Sequence, residues 1–261
     1  MAEKKNAVAE QKTAEIVQFD PTMFEADAGA GLENMGQDDL ALPFLKILGG
    51  MSKELDDLED ARKGDIFNTV TGAVYKGKDG IKVIPVAYQR RFIQWAPRGE
   101  GTGAPVAIYV PGEAMPKTER SPDDNKEYVT DGSGQYIEET HQHFVIVLHE
   151  DGAAETALIA MKSTQLKKSR KWNSMISSLT MQGKNGPFTP PRFSHVYLLK
   201  TLLEENSKGS WHGWEMSVDG PITDAAQYKA AKEFNASIEK GEVNVKHEQS
   251  GDNQSGDDIP F

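Results

Sequence analysis

The chain has 261 residues, 38% hydrophobic and 26% charged, with a formal net charge of −11. That length suits one large domain, or one domain with tails, and the absence of cysteine excludes a disulfide framework and a thiolate metal site. No apolar run approaches membrane-spanning length and Met1 to Ile16 lacks the apolar middle of a signal peptide, so the expectation is a soluble protein of the cytoplasm.

An acidic total argues against nucleic acid until its distribution is read. Residues 1–60 hold 5 Lys and Arg against 14 Asp and Glu, and residues 236–261 hold 2 against 6, whereas residues 61–235 hold 22 against 20. Within that middle, residues 161–203 carry 8 basic side chains (Lys162, Lys167, Lys168, Arg170, Lys171, Lys184, Arg192 and Lys200) and no acid. A second acid-free stretch, 81–99, carries Lys82, Arg90, Arg91 and Arg98. Two basic blocks between acidic ends fit a phosphate-binding face kept soluble by its flanks.

In chain order, residues 1–36 read as a mobile N-terminal arm of Ala, Glu, Lys and Gln with scattered apolar residues. Asp38-Asp39 precede an apolar run, Leu40 to Leu48, in which Leu40, Phe44 and Ile47 share a helical face; with Pro43 tolerated in the first turn, this predicts a short helix. Asp65 to Val70 and Ala73 to Tyr75, joined by Thr71-Gly72, predict a hairpin. Ile81 to Tyr88 and Arg91 to Trp95 form a longer strand, in which Pro85 marks an edge or a bulge. Residues 99–134 are dense in Gly, Pro and charge and read as a loop insertion around a short strand, Val106 to Val110. Gln142 to His149 and Glu155 to Met161 are strands of another hairpin. A helix from Thr164 to about Gln182, capped by Ser163 and stopped by Gly183, follows; its apolar stripe is Leu166, Trp172, Ile176 and Leu179. Phe193 to Leu203 and Trp211 to Val218 are further strands, and Thr223 to Lys240 is a final helix capped by Thr223 or Asp224. Residues 37–240 therefore form a single domain. Its expected class is mainly β (α+β): an elaborated OB-fold-like antiparallel barrel with one mid-chain helix, flanking helices and a disordered acidic tail over 241–261.

The tail ends Gly256-Asp257-Asp258-Ile259-Pro260-Phe261, and the preceding Lys246 to Ser255 has no large apolar residue, so it reads as a flexible tether. Pro260 stiffens the backbone, Phe261 suits an apolar pocket, and Asp257 and Asp258 suit Lys or Arg at its rim, with Ile259 adding apolar contact. This ending resembles the C-terminal tip of bacterial single-stranded-DNA-binding proteins, and acidic-aromatic tips of related character end the single-strand binders of some tailed phages. The resemblance implies that the tip recruits replication and repair enzymes while a separate OB-fold holds the strand. The block from Leu42 to Arg98 also resembles a segment of uncharacterised phage proteins from replication gene clusters, which supplies no residue roles.

Single strands are held by cations along the backbone and aromatic platforms under the bases. The candidates are Arg90, Arg91, Phe92, Trp95 and Arg98 in one block, and Lys162, Lys167, Lys168, Arg170, Lys171, Lys184 and Arg192 in the other. Trp211 and Trp214 join them, three positions apart on a strand and so facing opposite ways. Alternation also sends one of Arg90 and Arg91 away from any shared face. The stronger block is the helix, because surface helices normally mix signs. Trp172 reads as core. Gly72 to Lys78 has phosphate-loop spacing, but Asp79 follows where Ser or Thr is needed, and a strand follows where a helix is needed. His141 and His143 share a strand face without a third ligand at zinc spacing and read as exposed strand histidines. No cofactor, metal or catalytic constellation is expected.

The sequence thus points to a non-enzymatic protein that binds single-stranded DNA without sequence specificity in phage or bacterial replication, recombination and repair, in the host cytoplasm if phage-encoded, with partners docked at the tip. A homo-oligomer is compatible with this reading. The alternatives are a recombination annealing or mediator protein, and an interaction protein that binds no DNA and occupies host repair enzymes. Two variants separate charge competition from docking at the tail. Deleting 256–261 should raise single-strand affinity most at low salt, because an intramolecular anion is removed. Phe261→Ala should leave that affinity nearly unchanged and lose the docked enzymes, as read by pull-down from host extract; recovery of the same partners by both proteins would reduce the tip to a solvated tail.

Overall fold

The computed structural model describes residues 22–35, 40–206, 209–247 and 249. The chain divides into two compact units between Gly36 and Gln37. In the first, helix α1 (Thr22–Ala26) runs into successive turns, with Ala30 N donating to Asp27 O at 3.0 Å and Leu32 N to Gly29 O at 3.1 Å.

The second unit is mainly β, the protein being 19% helical, and is built on a strongly curled antiparallel half-barrel. It opens with β1 (Leu45–Ile47), helix α2 (Glu54–Asp57), β2 (Ile66–Asn68) and β3 (Val74–Tyr75), whose strands form a small antiparallel sheet in that order. Next come β4 (Ile81–Trp95), β5 (Ala107–Tyr109), β6 (Thr118–Arg120), β7 (Glu127–Val129), β8 (Tyr136–Leu148) and β9 (Ala154–Lys162). A 3-10 turn at Ser163–Gln165 leads into α3 (Leu166–Ser177), then a small hairpin, β10 (Met181–Gly183) and β11 (Gly186–Phe188). β12 (His195–Asn206), β13 (Gly209–Pro221) and helix α4 (Ala225–Lys240) complete it.

The large sheet runs β13-β12-β4-β8-β7-β6, with β5 on β4 and β9 on β8. Its spine is the ribbon of β4 and β8, paired from Lys82↔Leu148 to Trp95↔Tyr136. Each spine strand takes different partners at its two ends. β4 meets β12 around Val83 and β5 around Phe92, while β8 meets β9 from Thr140 to Leu148 and β7 at Tyr136 and Ile137. The register shifts between Pro85 and Ala87, a bulge where the proline has no N–H to give.

Alternation gives the sheet two apolar faces. Val83, Val145, Val147, Ile159 and Met161 face the inside of the curl with Trp172 and Ile176 of α3, Tyr197, Leu199, Trp214 and Met216. Ile84, Phe144, Ile146 and Leu158 face outwards and are covered by Ala231, Phe234 and Ile238 of α4. The small sheet spans the open side of the curl. On one flank Leu158 N donates to Pro43 O at 2.8 Å; on the other Thr201 N donates to Gly77 O at 2.9 Å, and the Thr201 hydroxyl donates to Gly64 O. Leu45 and Ile66 of that sheet reach the inner core.

Several expectations change. Leu40 to Leu48 is not a helix: Leu45–Ile47 pairs with Ile66–Asn68, because Pro43 biases the residue before it away from the helical region and β2 offers its edge. The 99–134 insertion holds, besides β5, a second hairpin, β6 with β7, attached to the end of β8. The mid-chain helix ends at Ser177, and Gly183 lies in the hairpin beyond it. Ser163 is not its cap; at φ 46° it turns the chain from β9 into the 3-10 segment. The final helix is capped by Asp224, whose carboxylate accepts from Ala226 N at 2.8 Å, and closed by Gly241 at φ 76°.

A Cβ on Gly77 would lie 1.9 Å from Gly64 O and 2.1 Å from Thr201 Oγ1, at the seam between small sheet and half-barrel. Gly77→Ala should therefore lower the denaturation midpoint, costing about 1–3 kcal/mol in overpacking. Lys78→Ala, one residue along on an exposed side chain, should leave the urea midpoint unchanged.

Candidate nucleic-acid interface

On β8 the alternating residues Glu139, His141 and His143 face the same way, opposite Phe92, Arg90 and Tyr88 of β4. Helix α3 lies across this face. Its buried side is Ser169, Trp172 and Ile176, at helical spacing, which leaves Lys167, Arg170 and Lys171 exposed. Because α3 covers them, His141 and His143 are 2% and 0% exposed, contrary to the expectation of exposed strand histidines.

Their burial is met by a chain of hydrogen bonds whose direction is fixed at each step. A guanidinium can only donate, so Arg192 Nη2 donates to His143 Nδ1 at 2.9 Å, placing the histidine proton on Nε2. His143 Nε2 donates to Ser169 Oγ at 2.7 Å, and that hydroxyl donates to His141 Nδ1 at 2.7 Å. His141 then carries its proton on Nε2 and donates to Glu139 Oε1 at 2.9 Å. Arg192 also donates to Asn173 Oδ1 at 2.9 Å, and His143 stacks on Trp172 with ring centroids 4.7 Å apart. Desolvation, then the nearby Arg192 and His141, pushes the His143 imidazole well below its ordinary pKa; burial likewise lowers His141, against the opposing pull of Glu139. Burial brings Arg192 down to about 10.

At the outer end of this chain the two basic blocks meet. Arg90 Nε lies 2.9 Å from Glu139 Oε1, and Arg170 Nη2 lies 3.6 Å from the same oxygen. The Arg90 guanidinium also sits over the ring of Phe92, 4.9 Å from its centroid. Arg91 points the other way, as alternation requires, and donates to Gln89 Oε1 at 2.6 Å and to Arg90 O at 3.0 Å. Lys167, Lys171 and Lys184 are exposed, and Lys184 occupies the turn of the β10–β11 hairpin beside Phe188, itself 46% exposed. Arg98 is exposed beyond the end of β4.

Other candidates are placed elsewhere. The block from 161 to 203 has no acid of its own, but the fold supplies acids: Glu138 pairs with Lys162 at 3.2 Å and Glu204 pairs with Lys168. Trp95 and Trp214 are 4% and 3% exposed, so neither offers a ring face to a strand on the surface. Arg192 is consumed by the buried relay. Trp211 is half-buried, donates from Nε1 to Glu204 Oε2 at 3.1 Å, and lines a groove of about 170 Å³ with Lys46, Lys63, Lys162 and His212. Asp257, Asp258, Ile259, Pro260 and Phe261 lie outside the described residues. Glu139, Ser169 and Phe188 carry no motif and were not singled out by sequence. The paired histidines on one face were the only signal of the relay.

Among the described residues no group of three or more His, Asp or Glu is placed to hold a metal ion, and no helix is long and apolar enough to cross a membrane. The architecture is that of a mainly β, half-barrel protein in which Arg90 and Arg170 meet at Glu139. A model of the Pam3 phage gp34-like protein family matches residues 10–244, and the chain belongs to that phage family. No curated protein and no solved structure matches.

The buried imidazoles make stability pH-dependent. His141 and His143 have folded pKa values below their unfolded value near 6.5, and burial holds His247 at about 4. The unfolded chain therefore binds more protons below that value, so their stabilising effect is present above pH 6.5 and is lost as pH falls towards the folded pKa values. Urea midpoints should fall between pH 7 and pH 5, and His143→Phe should flatten that dependence while keeping the ring stack on Trp172. An unaltered slope in the variant would place the linkage elsewhere.

Proposed function

We propose that the protein binds single-stranded DNA without sequence preference in phage DNA replication, recombination or repair, without catalysing a reaction, and that it recruits partner enzymes through its C-terminal tip. The observation that carries this reading is the convergence of Arg90 and Phe92 of β4 with Arg170 of α3 around Glu139, although they are distant in sequence. It brings Arg90 of one basic block and Arg170 of the other to one carboxylate, with Lys167 and Lys171 exposed on the same helix and Lys184 and Phe188 exposed on the hairpin that follows it. Guanidinium and ammonium groups neutralise phosphates irrespective of base, and exposed aromatic rings stack on any base because every base has a π face. A relay-backed sheet and helix hold these groups on rigid elements, and the half-barrel is an architecture compatible with an OB-type binding face.

The chain's net charge of −11 makes local cation placement decisive. Lys167, Lys171 and Lys184, all within the acid-free block, are exposed cations for which no acidic side chain among the described residues lies within ion-pair distance. Changing all three to Ala should weaken binding to oligonucleotides of every sequence alike. The slope of log affinity against log salt should shrink by about 0.7 per lost contact, roughly 2 in total. Fluorescence anisotropy over a salt series measures this, with magnesium present and absent so that cleavage would also be seen. Cleavage of the probe, or no binding by the unaltered protein, rules the reading out.

A further inference from the structure

We propose that Glu139 is a stand-in ligand: its carboxylate fills an anion site formed by Arg90, Arg170 and His141 that a phosphodiester oxygen takes over when a strand binds. The inference rests on the single-strand reading and names the phosphate subsite at its centre. Three donors converge on one oxygen, Glu139 Oε1, from three directions: Arg90 Nε from β4 at 2.9 Å, His141 Nε2 from β8 at 2.9 Å and Arg170 Nη2 from α3 at 3.6 Å. Two guanidinium charges against one carboxylate leave the site positive.

The carboxylate is also shared. Guanidinium groups engage carboxylates and phosphates best through two parallel hydrogen bonds, and the closest approach of both Arg90 and Arg170 is to the same Oε1. A phosphodiester has two non-bridging oxygens and can serve each guanidinium with its own. The third donor is built in. The directed relay from Arg192 through His143 and Ser169 holds the His141 proton on Nε2, aimed at the position Oε1 occupies. Glu139 keeps 23% side-chain exposure and Arg170 is 62% exposed, so the carboxylate has solvent to swing into and the strand has access. Glu138, on the opposite face of β8, and Glu204 differ: each is paired with a lysine, to which the relay makes no bond.

The test uses the full chain and a labelled oligothymidylate, read by anisotropy over a salt series. Glu139→Gln keeps the shape and removes the competing charge. It should bind about tenfold more tightly at low salt, the worth of one charge-assisted hydrogen bond, with a salt slope steeper by about 0.7. Glu204→Gln removes the same charge close by and should give a clearly smaller gain, and adding Arg170→Ala to Glu139→Gln should erase most of the gain. Thermal unfolding confirms that each variant is folded. If the unaltered protein binds the strand and Glu139→Gln binds no tighter than Glu204→Gln, the stand-in inference fails and the wider reading stands. If no protein in the series binds the strand, the wider reading fails and takes the inference with it.

Discussion

The hydroxyl of Ser169 sits fully buried between two imidazoles, and the position of α3 on the half-barrel depends on it. Burying Trp172 and Ile176 inside the curl brings the polar face of β8 under the helix as well, because Glu139, His141 and His143 continue the same alternation as Val145 and Val147. A buried polar group without a partner costs about 1–3 kcal/mol, so the two buried imidazoles would oppose the docking that the apolar side chains drive. Ser169 resolves the conflict by accepting from one histidine and donating to the other. Arg192 and Glu139 end the chain with groups of opposite charge, one inside and one at the surface. Each bond has its donor and acceptor fixed, so the network tolerates no partial occupancy and sets the register of helix on sheet.

The same constraint links stability to the surface. A relay that must be complete for the core to form also delivers a fixed donor to the rim, where Arg90 and Arg170 already meet. Rigid placement of binding groups on helix and strand, supported from behind, limits what must be ordered when a ligand arrives. Acids supplied by strands, Glu139 of β8 at this rim and Glu204 of β12, hold Arg90, Arg170 and Lys168 in place. In a chain of net charge −11, a surface of unpaired cations would otherwise attract the protein's own acidic segments.

Closure of the fold follows a different logic. The spine strands are long enough to curl, and their ends diverge to different partners, which leaves an open side. The small sheet fills it through backbone bonds at Pro43 and Gly77, positions where a side chain is restrained or absent. Gly77 can carry no Cβ there, so the join depends on close backbone approach.

By itself the sequence determined what short-range pattern controls. Alternation marked β4 and the later part of β8, though not its first six residues, Tyr136 to His141; Pro85 announced an edge or a bulge, Asp224 was one of two cap candidates for the last helix, and the spacing of Trp172 and Ile176 fixed which side of α3 would be buried. The composition of the two basic blocks was likewise visible. Tertiary structure alone decided the rest. Leu45–Ile47 became a strand because β2 lay beside it, which no local propensity encodes. The acid-free block around α3 acquired acids from β8 and β12, since ion pairing follows distance in space and the sequence shows only neighbours along the chain. Trp95 and Trp214 went to the core and Phe188 to the surface, although all three are aromatic residues in strands. His141 and His143 showed their shared face but not their burial, which came from a helix that starts more than twenty residues later and carries the serine between them.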